Sequence, residues 1–280
     1  MKFRTIFILF NVVVIASFLF IFFLPLALLG PEPSLAFWKG NWYLALLFLA
    51  LIGGLNSFFL LNRKTFLLVE REDWGGLSAH LVGIMFPKGR FRSGRVRLLV
   101  NAYLLQSEVG GIERLEAELS AKNPAVLRKN ALLFGVTRLL RGRAAEAEAF
   151  FEPYLGAKDV ESRDWLRFDY GFSLVLQKKL AESLPYLEEG SASRDAVLCL
   201  LAAYLLGSVG AASLSDEAAR SAASAKSEAA RTRLLKRYPS VERWNREVDR
   251  AKSEVHIVIL SKLIDEAGKW LFEARTASKP

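Results

Sequence analysis

The residues best suited to chemistry are few and widely spaced in this 280-residue chain. Asp164 and Asp169 are close in sequence, but residues five apart lie on different faces of a helix, so they make a poor acid–base couple. The two histidines, His80 and His256, are far apart, which favours a structural role over a metal site. Cys199, the single cysteine, lies in the apolar run AVLCLLAAYLL, where a small core residue is expected.

Short motifs that would indicate an enzyme are also missing from the sequence. It contains no phosphate-binding loop of the pattern G-x-x-x-x-G-K-[ST], no G-x-S-x-G nucleophile motif and no H-E-x-x-H zinc motif. A single cysteine excludes an intrachain disulfide and a thiolate zinc cluster. We therefore expect a protein that is not an enzyme, with no catalytic residue, no metal and no cofactor.

Positive charge is concentrated in one short segment, KGRFRSGRVR, of a chain whose formal net charge is +9. The simplest interpretation is a solvated loop and helix start close to a membrane. The functional alternative is contact with anionic lipid headgroups. Nucleic acid is not expected as a partner, because no RNA-binding signature accompanies the segment. The basic side chains of this cluster are Lys88, Arg90, Arg92, Arg95 and Arg97.

Two uncharged apolar runs precede that segment, at residues 5–29 and 42–61. Each run is long enough to cross a bilayer as a helix. The stretch between them contains Pro31 and Pro33, which predict a short loop. The first run is longer than the apolar core of a signal peptide, so we expect a retained membrane hairpin of two helices.

Lysine and arginine are distributed unequally around these two runs. The amino end carries Lys2 and Arg4, the connecting stretch carries only Lys39, and many basic residues, beginning with Arg63 and Lys64, follow the second run. Because basic residues favour the cytoplasmic side, we expect both termini in the cytoplasm at a bacterial inner membrane. A first helix that is cleaved or inserted differently would reverse this orientation.

Two stretches of the following region correspond to each other at a spacing of 36 residues, GVTRLLRGRAAEAEAFFEPYL from Gly135 and GFSLVLQKKLAESLPYLEEG from Gly171. Each predicts a helix, a short polar break and a second helix whose apolar positions are three and four residues apart. Small residues recur where the two helices of a hairpin must approach closely. A fixed period of this size indicates stacked helical hairpins. The residues that carry the repeat are Gly135, Gly142, Ala147, Phe151, Gly171, Ser183 and Leu187.

This pattern resembles the tetratricopeptide repeat, a helix–turn–helix unit of about 34 residues. Gly135 and Gly171 match the family's small residue in the first helix, and Gly142 matches its turn glycine. The sequence departs from the family in its longer period, in Lys178 at the second turn and in the missing proline after the second helix. The resemblance implies a right-handed α-solenoid whose first helices line a groove that binds a peptide.

In that arrangement the groove would be lined almost entirely by apolar and aromatic side chains, unlike a clamp for a carboxylate. Apolar surface of this size is rarely left in water. We therefore expect it to be covered, either by the amphipathic helix of a partner or by the last helix of this chain. The predicted lining residues are Leu132, Leu133, Val136, Leu139, Leu140, Trp165, Phe168, Asp169, Phe172 and Val175.

The segment after Pro239 predicts one long amphipathic helix, with Ser240 as its N-terminal cap. Its apolar stripe consists of Trp244, Val248, Ala251, Val255, Ile259, Leu263 and Trp270.

The predicted fold is all-α, with a transmembrane helical hairpin at 1–61, a tetratricopeptide-like solenoid at 62–239 and a C-terminal amphipathic helix and tail at 240–280. The predicted function is a membrane-anchored scaffold or adaptor that recruits or assembles a protein complex at the bacterial inner membrane. Two alternatives remain open. One is an envelope-side assembly factor of the flagellar-collar type, and the other is an accessory subunit that binds a lipid or a helical ligand in the apolar groove.

Overall fold

The computed structural model describes residues 3–213, 217–252 and 254–276, and the regular structure of that part of the chain is helical. The helices fall into two compact units, Met1–Lys88 with Leu105–Ser107, and Gly89–Leu104 with Glu108–Pro280. The earlier helices are α1 Phe3–Leu29, α2 Pro31–Glu70, α3 Trp74–Met85, α4 Ser93–Leu105, α5 Val109–Lys122, α6 Pro124–Lys129, α7 Ala131–Leu140 and α8 Ala144–Phe151, followed by a 3-10 turn at Glu152–Tyr154. The later helices are α9 Arg163–Leu176, α10 Leu180–Ser191, α11 Ala196–Ser213, α12 Glu217–Arg237, α13 Val241–Ala251, α14 Val255–Ile259 and α15 Ser261–Thr276.

In the first unit α1 and α2 pack against each other as a hairpin. Many of their apolar side chains lie on its outer surface, such as Phe20, 67% exposed, and Leu61, 85% exposed. By length and composition both helices meet the criteria for a membrane span, which a signal sequence also meets.

The prediction of a loop between these two helices is wrong. α2 begins at Pro31, directly after Gly30, whose φ is 81°. The N–H groups of the first helical turn have no partner within the helix, so the N–H that proline lacks is not missed there, and the φ of proline is already helical. Pro31 and Pro33 therefore begin the helix instead of breaking it. Within α2 the backbone departs from helical geometry at Asn41, with φ −124° and ψ 25°, and its side chain donates to the Phe37 carbonyl at 2.9 Å.

α2 continues beyond the second apolar run to Glu70, and α3 packs against it. Leu77 and Leu81 of α3 are fully buried. Asp73 caps α3 by accepting a hydrogen bond from the Gly76 N–H at 2.8 Å. The extension of α2 and the short helix α3 therefore form a further helical pair within the first unit.

In the second unit consecutive helices pack against each other from α7 to α12. One hydrophobic core extends from α7 to α15. The central part of α11 lies deep within that core, since every side chain of residues 196–203 is at most 4% exposed. A helix that is apolar on all sides is expected in such a position.

Four turns between helices share one backbone geometry. A residue with φ between 54° and 70° recurs every 35 or 36 residues, at Glu72, Ser107, Gly142 and Lys178. In each turn the backbone N–H of the residue that follows the left-handed one donates to the carbonyl five residues before it, at 2.9–3.0 Å. The four bonds are Asp73 to Leu68, Glu108 to Tyr103, Arg143 to Arg138 and Lys179 to Leu174. This bond is typical of a left-handed helix C-cap. The period therefore extends to two earlier turns, and Lys178 adopts the conformation of the glycine that it replaces.

Close helix packing explains two glycines of the repeat. A Cβ on Gly135 would overlap the ring of Phe151, and a Cβ on Gly171 would lie 2.7 Å from the Cβ of Tyr186. In the second hairpin the glycine therefore faces Tyr186 and not Leu187, which is the counterpart of Phe151. The other small and large residues of the repeat are fully buried: Ala147, Phe151, Ser183 and Leu187.

The prediction of one long C-terminal helix is wrong, because the segment folds into α13, α14 and α15. Ser240 caps α13 as predicted, accepting from a backbone N–H at 3.4 Å, but Glu254 is extended and precedes a new short helix. The run Val255–Ile259 is rich in β-branched residues, which have low helix propensity. The break allows α13 and α15 to pack together, since a Cβ on Gly268 would lie 3.3 Å from Nε1 of Trp244.

Candidate interaction surface

The predicted groove involves α7 and α9, the first helices of two successive hairpins, which contact each other. On α7, Leu132, Val136 and Leu139 are at most 9% exposed. Leu133 is half-buried, and Leu140 at the end of the helix is 54% exposed. Most of this side of α7 therefore belongs to the core.

On α9 the predicted lining residues become more exposed along the helix. Trp165, Phe168 and Asp169 are at most 6% exposed. Phe172 and Val175, in the second half of α9, are half-buried. The rings of Phe168 and Phe172 stack in parallel with their centroids 6.2 Å apart. We call the part of the predicted groove around Trp165 its closed end.

The C-terminal segment covers the closed end. α14 packs against α7, and the imidazole of His256 contacts the Trp165 ring with centroids 4.7 Å apart. Ile257 and Leu260 are 2% and 6% exposed, whereas Val258 between them is 51% exposed. From the sequence, either a partner's amphipathic helix or the last helix of this chain is expected to cover the groove. At this end the chain's own C-terminal segment covers it.

His256 acts as an aromatic packing surface at the closed end. Burial lowers the pKa of His256 to about 4, and the opposing attraction of Asp195 is smaller. Its Nε2 has no hydrogen-bond partner among the described residues. The imidazole is therefore neutral at physiological pH, because the cost of placing a charge in this desolvated site exceeds the attraction of Asp195.

Asp195 connects the closed end to α11. Its Oδ2 accepts from the indole N–H of Trp165 at 2.9 Å. Its Oδ1 accepts from the backbone N–H groups of Val197 and Leu198 at 2.9 and 3.1 Å, so it caps α11. Asp195 is not among the predicted site residues, although an aspartate directly before a long apolar run is a typical N-cap signal.

Asp169 lies one helical turn after Trp165 on the same face of α9 and is fully buried. Neither carboxyl oxygen has a hydrogen-bond partner within the described part of the chain. Burial raises the pKa of Asp169 well above its ordinary value, which favours the neutral form. Asp164 is exposed, so the two carboxyl groups do not face a common site.

The C-terminal ends of α7 and α9 carry exposed apolar side chains. Leu140 ends α7 and Leu176 ends α9, at corresponding positions of the two hairpins, and they are 54% and 49% exposed. Phe172 lies one turn before Leu176 on the same face of α9. We call these residues the open end of the predicted groove: Leu140, Phe172, Val175 and Leu176.

Equivalent polar contacts join successive hairpins of the second unit. The residue just before the left-handed position of a turn reaches the second helix of the preceding hairpin. The two contacts are Arg141 to Glu113 at 2.7 Å and Gln177 to Glu148 at 2.7 Å. Within the first unit Gln106, which also precedes a left-handed position, donates to the Trp74 carbonyl at 3.0 Å. Lys179 adds an ion pair to Glu148 at 2.6 Å. The contacts between hairpins therefore recur at the same spacing as the turns.

The basic cluster is largely exposed, with Arg95 half-buried. Arg97 forms an ion pair with Glu161, which also pairs with Lys129 at 3.3 Å. The charge of Arg97 is therefore partly neutralised. Phe91 is 4% exposed, so this ring is not available to stack on a nucleic-acid base. The exposed members of the cluster are Lys88, Arg90, Arg92 and Arg97.

Residues suited to metal binding or nucleophilic chemistry do not cluster in the described part of the chain. No three His, Cys, Asp or Glu side chains there are placed to hold a metal ion. Cys199 is 1% exposed, and burial raises the pKa of its thiol despite the nearby guanidinium of Arg233. A buried thiol with a raised pKa is a weak nucleophile.

Comparison with known proteins gives two matches. A family described as an uncharacterised Treponema protein matches residues 111–273, more than half of the chain. A protein of Treponema pallidum (strain Nichols), described as uncharacterized, is 30% identical over 232 residues, which cover 81% of this chain and 74% of that protein. No solved structure matches the chain.

Proposed function

The chain belongs to the family described as an uncharacterised Treponema protein, and we propose that it is a membrane-anchored scaffold that recruits or assembles a protein complex at the bacterial inner membrane. The observation that carries this proposal is the repeated hairpin. The left-handed turns recur at Glu72, Ser107, Gly142 and Lys178, and the last two are accompanied by equivalent contacts to the preceding hairpin. Arrays of such units present extended surfaces to other proteins.

In this proposal the hairpins form a tetratricopeptide-like α-solenoid. The spacing of 35 or 36 residues between turns is close to the family's period of about 34. Gly135 and Gly171 allow the second helix of each hairpin to approach the first, as the family's small residues do. A single hairpin cannot bury its apolar residues alone, so stacking stabilises each unit through its neighbours.

The proposed membrane anchor is the α1–α2 hairpin. Its apolar side chains face outwards, where lipid can replace water. Arg63 and Lys64 follow the second apolar run, so the positive-inside rule favours a cytoplasmic scaffold. The exposed side chains of Arg90 and Arg92 could then contact anionic lipid headgroups.

The proposed docking site for a protein partner is the open end of the groove. Leu140 and Leu176 are exposed there, and an amphipathic helix from a partner would bury them. At the closed end His256 fills the space over Trp165. This packing favours a protein partner over a lipid enclosed in the groove.

Site-specific photo-crosslinking in cells tests the scaffold. A photoreactive amino acid replaces Leu140 or Leu176, and in a matched control it replaces Lys236, which is exposed on α12. We expect positions 140 and 176 to give the same discrete adducts with a protein, and position 236 to give none of these. The double variant Leu140→Glu, Leu176→Glu should abolish copurification of that protein with little change in stability, because both side chains are already exposed.

Adducts with lipid alone, or unrelated adducts at positions 140 and 176, would contradict the scaffold. A biotin ligase fused after Pro280 tests the orientation independently. We expect it to label cytoplasmic proteins, and labelling restricted to the envelope side would reverse the proposed sidedness.

A further inference from the structure

Three arginines line a cleft between α12, the start of α11 and the connection from α10 to α11. The cleft has a volume of about 470 Å³, within the range of about 300–1,000 Å³ typical of ligand pockets. Its polar lining includes Arg194, Arg233, Arg237 and Ser193, and the buried Cys199 also borders it. The cleft lies outside the groove described above.

Two of the guanidinium groups are held by the backbone that connects α10 to α11. Nη2 of Arg233 donates to the Ser191 carbonyl at 2.6 Å, and Nη1 of Arg237 donates to the Arg194 carbonyl at 3.1 Å. The two arginines are four residues apart on α12, so their side chains extend from one face of the helix. Because each guanidinium has five N–H donors, both retain donors for a ligand.

The carboxylates of the neighbouring elements have other partners: Glu188 pairs with Lys226, Glu189 with Arg167, and Asp195 accepts from Trp165 and caps α11. Within the described chain Arg194, Arg233 and Arg237 form no ion pair with a carboxylate. Positive charge therefore exceeds negative charge beside the cleft, where Asp195 is the carboxylate close to Cys199. Such an arrangement favours an anionic ligand.

We propose that this cleft binds the oxyanion of a phosphate group. Planar guanidinium groups match phosphate oxygens through pairs of hydrogen bonds, and Arg233 and Arg237 are already positioned by their backbone contacts. Arg194 and the hydroxyl of Ser193 add donors from the connection between α10 and α11. A small soluble phosphate and the headgroup of a phosphomonoester lipid share this chemistry.

Calorimetric titration of the full chain in a maltoside detergent with inorganic phosphate, at constant ionic strength, tests the site. We expect saturable binding that Arg233→Gln and Arg237→Gln each weaken at least about tenfold. Arg233→Lys keeps the charge but loses the planar fork, so it should weaken binding to an intermediate degree. Lys236→Gln removes one positive charge from the same helix outside the cleft and should change the affinity by less than about twofold.

Heat that does not saturate, or equal weakening by Lys236→Gln and Arg233→Gln, would overturn the proposal. Arg194→Gln provides a second variant if Arg233→Gln fails to fold. The Arg194 side chain is exposed, and the substitution keeps the backbone carbonyl that accepts the hydrogen bond from Arg237. Titration with short-chain phosphatidate distinguishes the sources. If phosphatidate binds more tightly than inorganic phosphate, the natural ligand is a lipid headgroup, and if it binds more weakly, the ligand is a small soluble phosphate. If neither binds, the site is refuted.

Discussion

The hairpins from α7 to α10 and the C-terminal segment from α13 to α15 both bury apolar side chains, but their contacts span different lengths of chain. In the first of these hairpins Gly135 packs against Phe151, a contact within one supersecondary unit. In the C-terminal segment His256 packs against Trp165, on a helix far earlier in the sequence. A local pattern can specify the hairpins, whereas the C-terminal segment needs a surface that the hairpins first create.

The turns between the hairpin helices and the closed end of the groove, to which both α9 and α14 contribute, differ in how completely they satisfy their buried polar groups. The hairpin turns close with repeated backbone hydrogen bonds and join through equivalent side-chain contacts. At the closed end of the groove His256 Nε2 and both carboxyl oxygens of Asp169 have no hydrogen-bond partner in the described chain. Substitutions at the closely packed contacts of the hairpins should therefore destabilise the protein, whereas some substitutions at the closed end, including one at Asp169 of α9, should stabilise it.

Gly135→Ala should have the largest effect. The added Cβ would overlap the buried ring of Phe151, so α7 and α8 must move apart or the ring must leave its position. We expect the free energy of unfolding to fall by about 2–3 kcal/mol. Urea unfolding of the full chain in detergent, followed by tryptophan fluorescence, measures the change.

Gly94→Ala is the matched control for this substitution. Gly94 lies in α4, in the same unit, and has nothing within 4 Å of the position of an added Cβ. Alanine is the better helix former, so this variant should gain at most about 1 kcal/mol. Equal stability of the Gly135 and Gly94 variants would show that α7 and α8 are not closely packed, which would remove one side of the comparison.

The same comparison explains what could be predicted from the sequence. Gly135 and Gly171 revealed the hairpins because their partners lie within the next 16 residues and recur at one spacing. The apolar stripe after Ser240 was also visible, but a stripe is equally compatible with one helix or with several. Its break depends on α13 and α15 packing against each other and on α14 packing against α7, and these contacts leave no local pattern.

Asp169→Asn should stabilise the protein at neutral and alkaline pH. Burial raises the folded-state pKa of Asp169, so its favourable contribution is fully present below the pKa of the unfolded chain. That contribution is lost progressively as the pH rises from there through the folded pKa. Asparagine has nearly the same shape and cannot ionise. We expect the variant to gain about 1–2 kcal/mol over the natural chain at pH 8, with a smaller or reversed difference at pH 4.

Unfolding measured between pH 4 and pH 8 tests this expectation, with Asp164→Asn as the control. Asp164 lies in the first turn of the same helix but is exposed, so its replacement should not reproduce the gain at high pH. If the two variants had the same pH profile, Asp169 would be solvated in the folded protein. The closed end would then differ less from the hairpin turns, in how its buried polar groups are paired, than the structure indicates.

Glu148→Gln should have the smallest effect, because the contacts between hairpins are partly exposed and surface ion pairs contribute little. Burial opposes ionisation of Glu148, but hydrogen bonds from Lys179 and Gln177 outweigh it and lower its pKa. A lowered folded-state pKa adds stability above the unfolded pKa that is lost as the pH falls. We expect a decrease in melting temperature of about 2 °C or less at pH 7, which diminishes as the pH falls through the folded-state pKa of Glu148. Glu113→Gln removes the equivalent but more exposed partner of Arg141 and should have a still smaller effect. A large loss for either variant would mean that the polar contacts, rather than the buried glycines and aromatic rings, hold successive hairpins together.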